Sequence, residues 1–377
     1  TAGAELMSGH PGASDCADLL AGALAVAAAR PGAGLGSGPA MSVVVTTLNE
    51  GAHLDRLLDE LVPQLEPDDE LIVVDGGSTD DTADLAKAWA GRDPRIRPMR
   101  RPGTNIPEGR NAGIGMARNP FLACTDVGCT PSPGWLAALR SSFAERHPPA
   151  LVSGVYRVSA KGAMQHAVAV ACYPDPDRAG RGGVVSGVYG RLFGRAFDPT
   201  MPTGRSVAFA HEAWKAVQGF PEHLDTAEDV TFGRAVAATG RRCVLSRDAE
   251  VEWEQRPTIR ATARMYFRYG VGGGLSGDPK VIGRDLLRAA AYVAGALLLI
   301  RGGRVGRAAA ATGGAAYLSL PMWRSRRRPR PLEVAALVPA ALALKDLAKA
   351  AGCLTGLVRV GRRRSAAGKP GVQPDRR

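Results

Sequence analysis

Four acidic residues stand at places where a folded chain can use them. Asp75 follows the apolar run Leu71 to Val74, Asp126 follows Pro120 to Thr125, and the adjacent pair Glu228 and Asp229 precedes an apolar stretch from Val230 to Thr239. A carboxylate at the end of a strand accepts hydrogen bonds from ring N–H groups or sugar hydroxyls, and Gly76 and Gly77 let the backbone come close to whatever is bound. An ionised member of an acidic pair can take a proton from a hydroxyl. Each feature taken alone has an ordinary meaning. Gly76, Gly77, Ser78 and Asp80 read as a turn and a helix cap, Glu228-Asp229 as a first-turn pair that complements a helix dipole, and Asp126, with Pro131 and Pro133 beyond it, as a loop. Their joint order carries the weight: Asp75 and Asp126 lie 51 residues apart and Asp229 a further 103 on. His166 and His211 have no partner at ligand spacing. Six cysteines without a CxxC pair exclude a zinc ribbon and a disulfide scaffold and fit a reducing compartment, with Cys124 and Cys129 as small buried residues.

The elements that must position these residues follow from periodicity. Ser42 to Thr47 reads as a buried strand, and Leu54, Leu57, Leu58, Leu61 and Leu65 repeat at helical spacing. Strand and helix then alternate: Glu70 to Asp75, a helix over Thr79 to Ala90, Ile96 to Arg100, a helix over Gly109 to Arg118, and Pro120 to Thr125. Such alternation predicts an α/β fold with a doubly wound, mostly parallel sheet, which binds ligands at the carboxyl ends of its strands. Asn49, Asp75 and Asp126 all fall there. Farther on, Trp135 to Arg146 reads as helix and Leu151 to Ser159 as strand, while the Gly- and Arg-rich stretch 175–194 reads as a mobile loop.

With those residues in place, residues 41 to about 270 resemble the inverting family 2 glycosyltransferases of GT-A fold. Val45-Thr46-Thr47-Leu48-Asn49-Glu50 is similar to the family's strand-end segment under the nucleotide, which implies donor-binding roles for Thr47, Asn49 and Glu50. Ile72 to Thr82 (IVVDGGSTDDT) resembles the family's nucleotide motif, which implies that Asp75, with Ser78, contacts the base or ribose. Asn105 to Gly113 resembles the segment ending in Arg-Asn-any-Gly, and the resemblance makes Arg110, with Asn111, a diphosphate partner. At Thr125 to Cys129 the family has an Asp-any-Asp metal motif; Asp126 matches its first member, but Gly128 stands where the second belongs. The implied cofactor is Mg²⁺ or Mn²⁺ on Asp126, with Glu252 of Val251-Glu252-Trp253 as a candidate second ligand. Thr226 to Arg234 resembles the segment that supplies the catalytic base: Asp229 takes that role, Glu228 supports it, and Arg205 belongs to the acceptor-side wall. The polymerising members' Gln-any-any-Arg-Trp motif is absent around Gln255 and residues 264–270, which points to single addition.

Charge is uneven. Residues 280–377 hold 20 Lys+Arg against 4 Asp+Glu, whereas the rest of the chain holds 28 against 32. The apolar runs Ala289 to Ile300, Ala308 to Trp323 and Val334 to Leu344 between the basic clusters are too short to span a bilayer and read as interfacial or re-entrant helices. With no aromatic stacking platform, nucleic acid is not the expected partner. The expected organisation is a disordered extension over 1–40, with Met41 as a candidate true start, a GT-A domain over 41–278, a membrane-associating helical region over 279–358 and a basic disordered tail over 359–377. The expected function is transfer of one sugar from a UDP-, GDP- or dTDP-type donor to an acceptor at the cytoplasmic face of the cell membrane, a lipid-linked or cell-envelope glycan or a small molecule. The competing reading is a catalytically impaired nucleotide-binding pseudo-transferase, which Gly128 motivates. A nucleotidyltransferase would need a Gly-rich basic signature at the first strand, where VVVTTLNE stands.

Overall fold

The structure is a computed structural model and describes residues 38–180, 190 and 196–367. Four strands form its first half: β1 (Met41–Thr47), β2 (Glu70–Asp75), β3 (Ile96–Arg100) and β4 (Phe121–Asp126), joined by α1 (Gly51–Leu61), α2 (Thr82–Arg92) and α3 (Ile106–Gly115). β1 and β2 are buried on both faces, as their continuous Val/Ile/Leu runs require. The second half adds β5 (Cys129–Pro131), α4 (Trp135–Ser141), β6 (Leu151–Ser159), α5 (Ala163–Cys172), β7 (Val207–Ala210), α6 (His211–Ala216), α7 (Glu228–Ala238) and β8 (Cys243–Glu254). These make one eight-stranded sheet in the order β3-β2-β1-β4-β7-β6-β8-β5. The β3-β2-β1-β4 block is parallel, β6 and β8 are parallel, and β7 and β5 run antiparallel to their neighbours. The α/β class with a mixed, mostly parallel sheet is as the sequence predicts.

Some boundaries differ for identifiable reasons. α3 begins at Ile106, three residues before the expected Gly109, because Asn105 and Glu108 cap each other: Asn105 Oδ1 accepts from Glu108 N at 3.0 Å and Glu108 Oε2 from Asn105 N at 2.8 Å. α4 stops at Ser141 rather than Arg146. Within the expected loop, 181–189 and 191–195 lie outside the described residues, as do 1–37 and 368–377.

The C-terminal region consists of α8 (Ile259–Leu275), α9 (Pro279–Arg301), α10 (Arg304–Ser325) and α11 (Pro331–Ala367). α11 continues nine residues past the boundary at 358 where a disordered tail was expected, since no proline interrupts it beyond Pro339. α8 and α11 lie in backbone contact. A Cβ on Gly352 would stand 2.0 Å from Phe267 O, one on Gly270 2.1 Å from Lys349 O, one on Gly274 2.4 Å from Cys353 O and one on Gly356 2.5 Å from Val271 O. Val334, Val338, Ala341 and Leu342 of α11 are buried in the same hydrophobic core as β1 and β8, so this helix is a structural part of the sheet domain. α9 is turned the other way: Asp285 is buried and Tyr292 donates to Asp346 of α11 at 3.2 Å, while Leu287, Val293 and Ile300 are exposed. Among the described residues no helix is long and apolar enough to cross a membrane.

Candidate active site

Thr47, Asp75 and Asp126 close β1, β2 and β4. The register pairs Thr47 with Asp75 and Thr46 with Asp126, which sets the three ends side by side at about 5 Å per strand. Asp75 is buried, and its Oδ1 accepts from Ser78 N at 2.8 Å and from Ser78 Oγ at 2.5 Å. Its Oδ2 and the neighbouring Thr47 Oγ1 are buried with no hydrogen-bond partner; Arg100 Nε stands 3.6 Å from Oδ2. Buried polar atoms are almost always paired, so two adjacent orphans at strand ends mark a place for a ligand's polar groups. Asn49 adopts a left-handed φ of 55°, donates from its backbone N to Ser78 Oγ at 2.9 Å and accepts at Oδ1 from Thr79 N at 2.8 Å. Asn49 and Ser78 thereby hold the two loops together behind the orphan pair. Glu50 has an exposed side chain, and its backbone N donates to Thr82 Oγ1 at 3.1 Å.

Arg110 stands at the centre of the site, 2% exposed. It reaches there because α3 lies close against β1 and β2: a Cβ on Gly113 would stand 2.6 Å from Val44 Cγ1. Its Nη2 donates to Asp126 Oδ1 at 2.6 Å and its Nη1 to Glu228 Oε1 at 2.8 Å. The expected diphosphate partner is thus held in place by two acidic side chains, which use two of its five N–H donors. Asn111 is held as well. Its Oδ1 accepts from Phe220 N (2.9 Å) and Trp214 Nε1 (3.0 Å), and its Nδ2 donates to Phe220 O (2.8 Å) and Glu222 Oε1 (3.0 Å), so the amide is fully engaged in holding the 219–222 turn.

Glu228 and Asp229 open α7 behind Ala227, whose φ of 67° is strained for a residue with a Cβ. Burial pushes the Glu228 carboxyl up to about 7, with the Asp229 charge adding to the rise and Arg110 opposing it. Asp229 is half-buried and accepts at Oδ2 from Gly204 N at 2.8 Å and at Oδ1 from Val230 N at 2.7 Å, so each oxygen keeps a lone pair for a proton. A Cβ on Gly204 would stand 2.3 Å from Arg110 Nη2, so a larger residue there would displace the guanidinium. Asp126, Arg110, Glu228, Asp229 and Gly204 therefore form one connected group.

Arg205 sits on an aromatic wall, its guanidinium 4.3 Å from the Trp253 ring and 5.0 Å from the Tyr156 ring, with Nη2 donating to Tyr269 Oη at 3.1 Å. Its Nε is buried without a partner. Tyr156, Trp253 and Tyr269 were not singled out in the sequence. Trp253 adjoins Glu252, and Tyr269 lies in the stretch where the polymerising motif is missing, so both stood beside residues that drew attention for other reasons.

The residues do not build a metal cage. Gly128 offers no ligand, Arg110 occupies one oxygen of Asp126, and Glu252 is exposed on β8 opposite Thr130. Among the described residues no three His, Cys, Asp or Glu side chains group closely enough to hold a cation. Cys124 and Cys129 are buried as expected, and burial pushes the Cys124 thiol up to about 12.

Comparisons with known proteins fit this geometry. The family model for glycosyl transferase family 2 matches residues 42–169. Validoxylamine A glucosyltransferase of Streptomyces hygroscopicus subsp. limoneus is 35% identical over 120 residues, 31% of this chain and 26% of that protein, so the match spans about a quarter of that relative's length. Succinoglycan biosynthesis protein ExoA of Rhizobium meliloti is 25% identical over 235 residues, 61% of this chain and 68% of that protein. Among solved structures, the mannosyltransferase PcManGT from Pyrobaculum calidifontis, in complex with GDP-Man and Mn²⁺, superposes with a TM-score of 0.47 at 20% identity over 88% of this chain and 89% of that one. The motifs on the ends of β1, β2 and β4 lie within the segment that is similar to glycosyl transferase family 2, and Glu228 and Asp229 lie beyond it.

Proposed function

We propose that this chain transfers a single sugar from a nucleotide diphosphate donor to a hydroxyl acceptor, with inversion at the anomeric carbon. The observation that carries this reading is the orphan pair, Asp75 Oδ2 and Thr47 Oγ1, buried on adjacent strand ends beside the Asp126–Arg110–Glu228 group. The orphan pair accepts from and donates to the base or ribose. Asp229 takes the acceptor proton as its oxygen attacks the anomeric carbon, and the nucleoside diphosphate leaves from the opposite side. Burial raises the Glu228 carboxyl to about 7, so below that pH Glu228 holds a proton beside Asp229. Mg²⁺ or Mn²⁺ would find one free oxygen of Asp126 and whatever the donor itself supplies, and there it would stabilise the charge on the leaving diphosphate.

The acceptor side is the aromatic wall of Tyr156, Trp253 and Tyr269 around Arg205, which suits a sugar face and its hydroxyls. We place the acceptor, a glycan or lipid-linked sugar, at the cytoplasmic face of the cell membrane, since the exposed apolar side of α9 faces solvent in the chain alone. The test is a screen of UDP, GDP and dTDP for thermal stabilisation, followed by donor turnover. One nucleotide should stabilise the wild type and fail to stabilise Asp75→Asn. If none does, the donor site is misassigned. The pseudo-transferase reading is favoured by Gly128 and by the neutralisation of Asp126. It holds if a nucleotide binds at Asp75 but neither transfer nor donor hydrolysis exceeds that of Asp229→Asn.

A further inference from the structure

A second polar site lies away from the strand ends. Where the end of α10 meets β6 and α5 there is a cavity of about 200 Å³ lined by Arg157, Asp175, Asp177, Arg324, Arg327 and Arg328, with Trp323 and Val170 beside them. Four arginines face two aspartates, and both acids are engaged. Arg157 Nη2 stands 2.7 Å from Asp177 Oδ1, and Arg324 Nε 3.6 Å from Asp175 Oδ2. Arg324 is buried and donates from Nη1 to Val170 O at 2.8 Å and Tyr173 O at 2.7 Å, which fixes the end of α10 against α5 and gives the cavity a rigid wall. Trp323 forms a second wall. Its ring lies 4.4 Å from the Arg178 guanidinium and 4.9 Å from that of Arg327, so aromatic contact holds both cations close together despite their repulsion. Arg327 and Arg328 make no ion pair among the described residues. An anion that accepts several hydrogen bonds in a small volume is what such a surplus recognises, and a phosphate group presents that geometry to guanidinium forks.

We propose that this cavity binds a phosphate group, with Arg327 and Arg328 as its principal cations and Trp323 and Arg324 as its walls. Trp323, which lines it, is partly exposed, and its chain neighbour Met322 is exposed too, so a phosphate carried on a lipid would meet apolar surface beside the cations; free phosphate shares the chemistry. The inference does not rest on the transferase reading. It also stands apart from the donor site, whose residues are Thr47 and Asp75.

The experiment uses the full chain and reads thermal stability across an inorganic phosphate titration, and separately flotation with vesicles of phosphatidylglycerol in phosphatidylcholine against pure phosphatidylcholine. Wild type should gain stability with phosphate and float with the anionic vesicles. Arg327→Glu with Arg328→Glu should weaken the apparent phosphate affinity roughly tenfold or more, and the milder Arg327→Gln with Arg328→Gln should weaken it less. Arg301→Glu with Arg304→Glu, the same charge change at the α9–α10 turn, should leave it intact. Because any phosphate bound at the donor site stabilises all variants alike, the difference between variants reads this cavity. Phosphate binding with no preference for anionic vesicles assigns the site to a free phosphate compound; both together assign it to a lipid. Equal phosphate affinity in wild type and both double variants at 327 and 328, or equal loss in the 301 and 304 control, overturns the proposal.

Discussion

The chemistry is concentrated in a chain of charges that alternates carboxylate, guanidinium, carboxylate, and then the acid that must stay ionised. Asp229→Asn keeps the shape of the side chain and an acceptor for one of the two N–H groups of Gly204 and Val230 while removing the basicity, so turnover should fall about 10²- to 10⁴-fold with donor affinity little changed. Steady-state rates alongside nucleotide binding check this, and an unaltered rate would return the base to another residue. Glu228 makes a separate and purely thermodynamic claim. Its carboxyl is pushed from an ordinary 4.5 up to about 7, so the folded chain keeps a proton over the window in which the unfolded chain loses it. Stability from this group is therefore present at low pH, declines as pH rises from about 4.5 to about 7, and is level above that. Glu228→Gln cannot titrate. Its melting temperature should fall less across that window than that of the wild type, and a parallel or steeper fall would mean that Glu228 is not held neutral.

The elements show why some of this was legible in the sequence and some was not. Strands β1 to β4 announce themselves as continuous apolar runs, and Asp75 and Asp126 are strand ends by simple periodicity, so their placement followed directly. Arg110 and Asn111 were read from their chemical type. Their burial depends on residues more than a hundred positions away, at 220, 222 and 228, and nothing local encodes such a partner. The α8–α11 contact is a third kind of case. Gly270 and Gly274, and Gly352 and Gly356, repeat at the four-residue spacing that lets two helices touch, a signal present in the sequence but masked by the basic and apolar composition around it. Its energetic weight can be measured. In Gly352→Ala the new Cβ meets Phe267 O, a backbone atom that cannot swing aside, and overpacking of this kind costs about 1–3 kcal/mol. The gain in helix propensity is about 1 kcal/mol at most, so Gly352→Ala should destabilise in urea unfolding. Gly283→Ala in α9, which has nothing within 4 Å, should stabilise by up to about 1 kcal/mol. The same sign for both would refute backbone contact between the helices.

At the scale of the whole molecule, the positive C-terminal region is not an appendage. α11 supplies Val334, Val338, Ala341 and Leu342 to the main core, and Arg324 ties α10 to α5. Removing everything after 278 would strip those side chains from the core at about 25 cal/mol per Å² of apolar surface, and a truncated chain that aggregates would say nothing about membranes. The part that can be altered without touching the core is the outer face of α9 and the turn into α10, where Leu287 is 71% exposed, Ile300 73% and Val305 85%. A helix in water that turns an acid and a tyrosine inward and leucines outward has the reverse of the usual arrangement, and apolar surroundings outside the chain restore its logic. Leu297→Glu with Ile300→Glu should therefore lower partition onto lipid vesicles by two orders of magnitude or so, since each apolar side chain contributes about 1.5–3 kcal/mol when buried. The melting temperature should stay unchanged, because neither residue has core contacts to lose. A variant that keeps full vesicle binding would remove the membrane from this face of the protein. A variant that binds less but also melts earlier would show that these leucines and isoleucines pack within the protein instead.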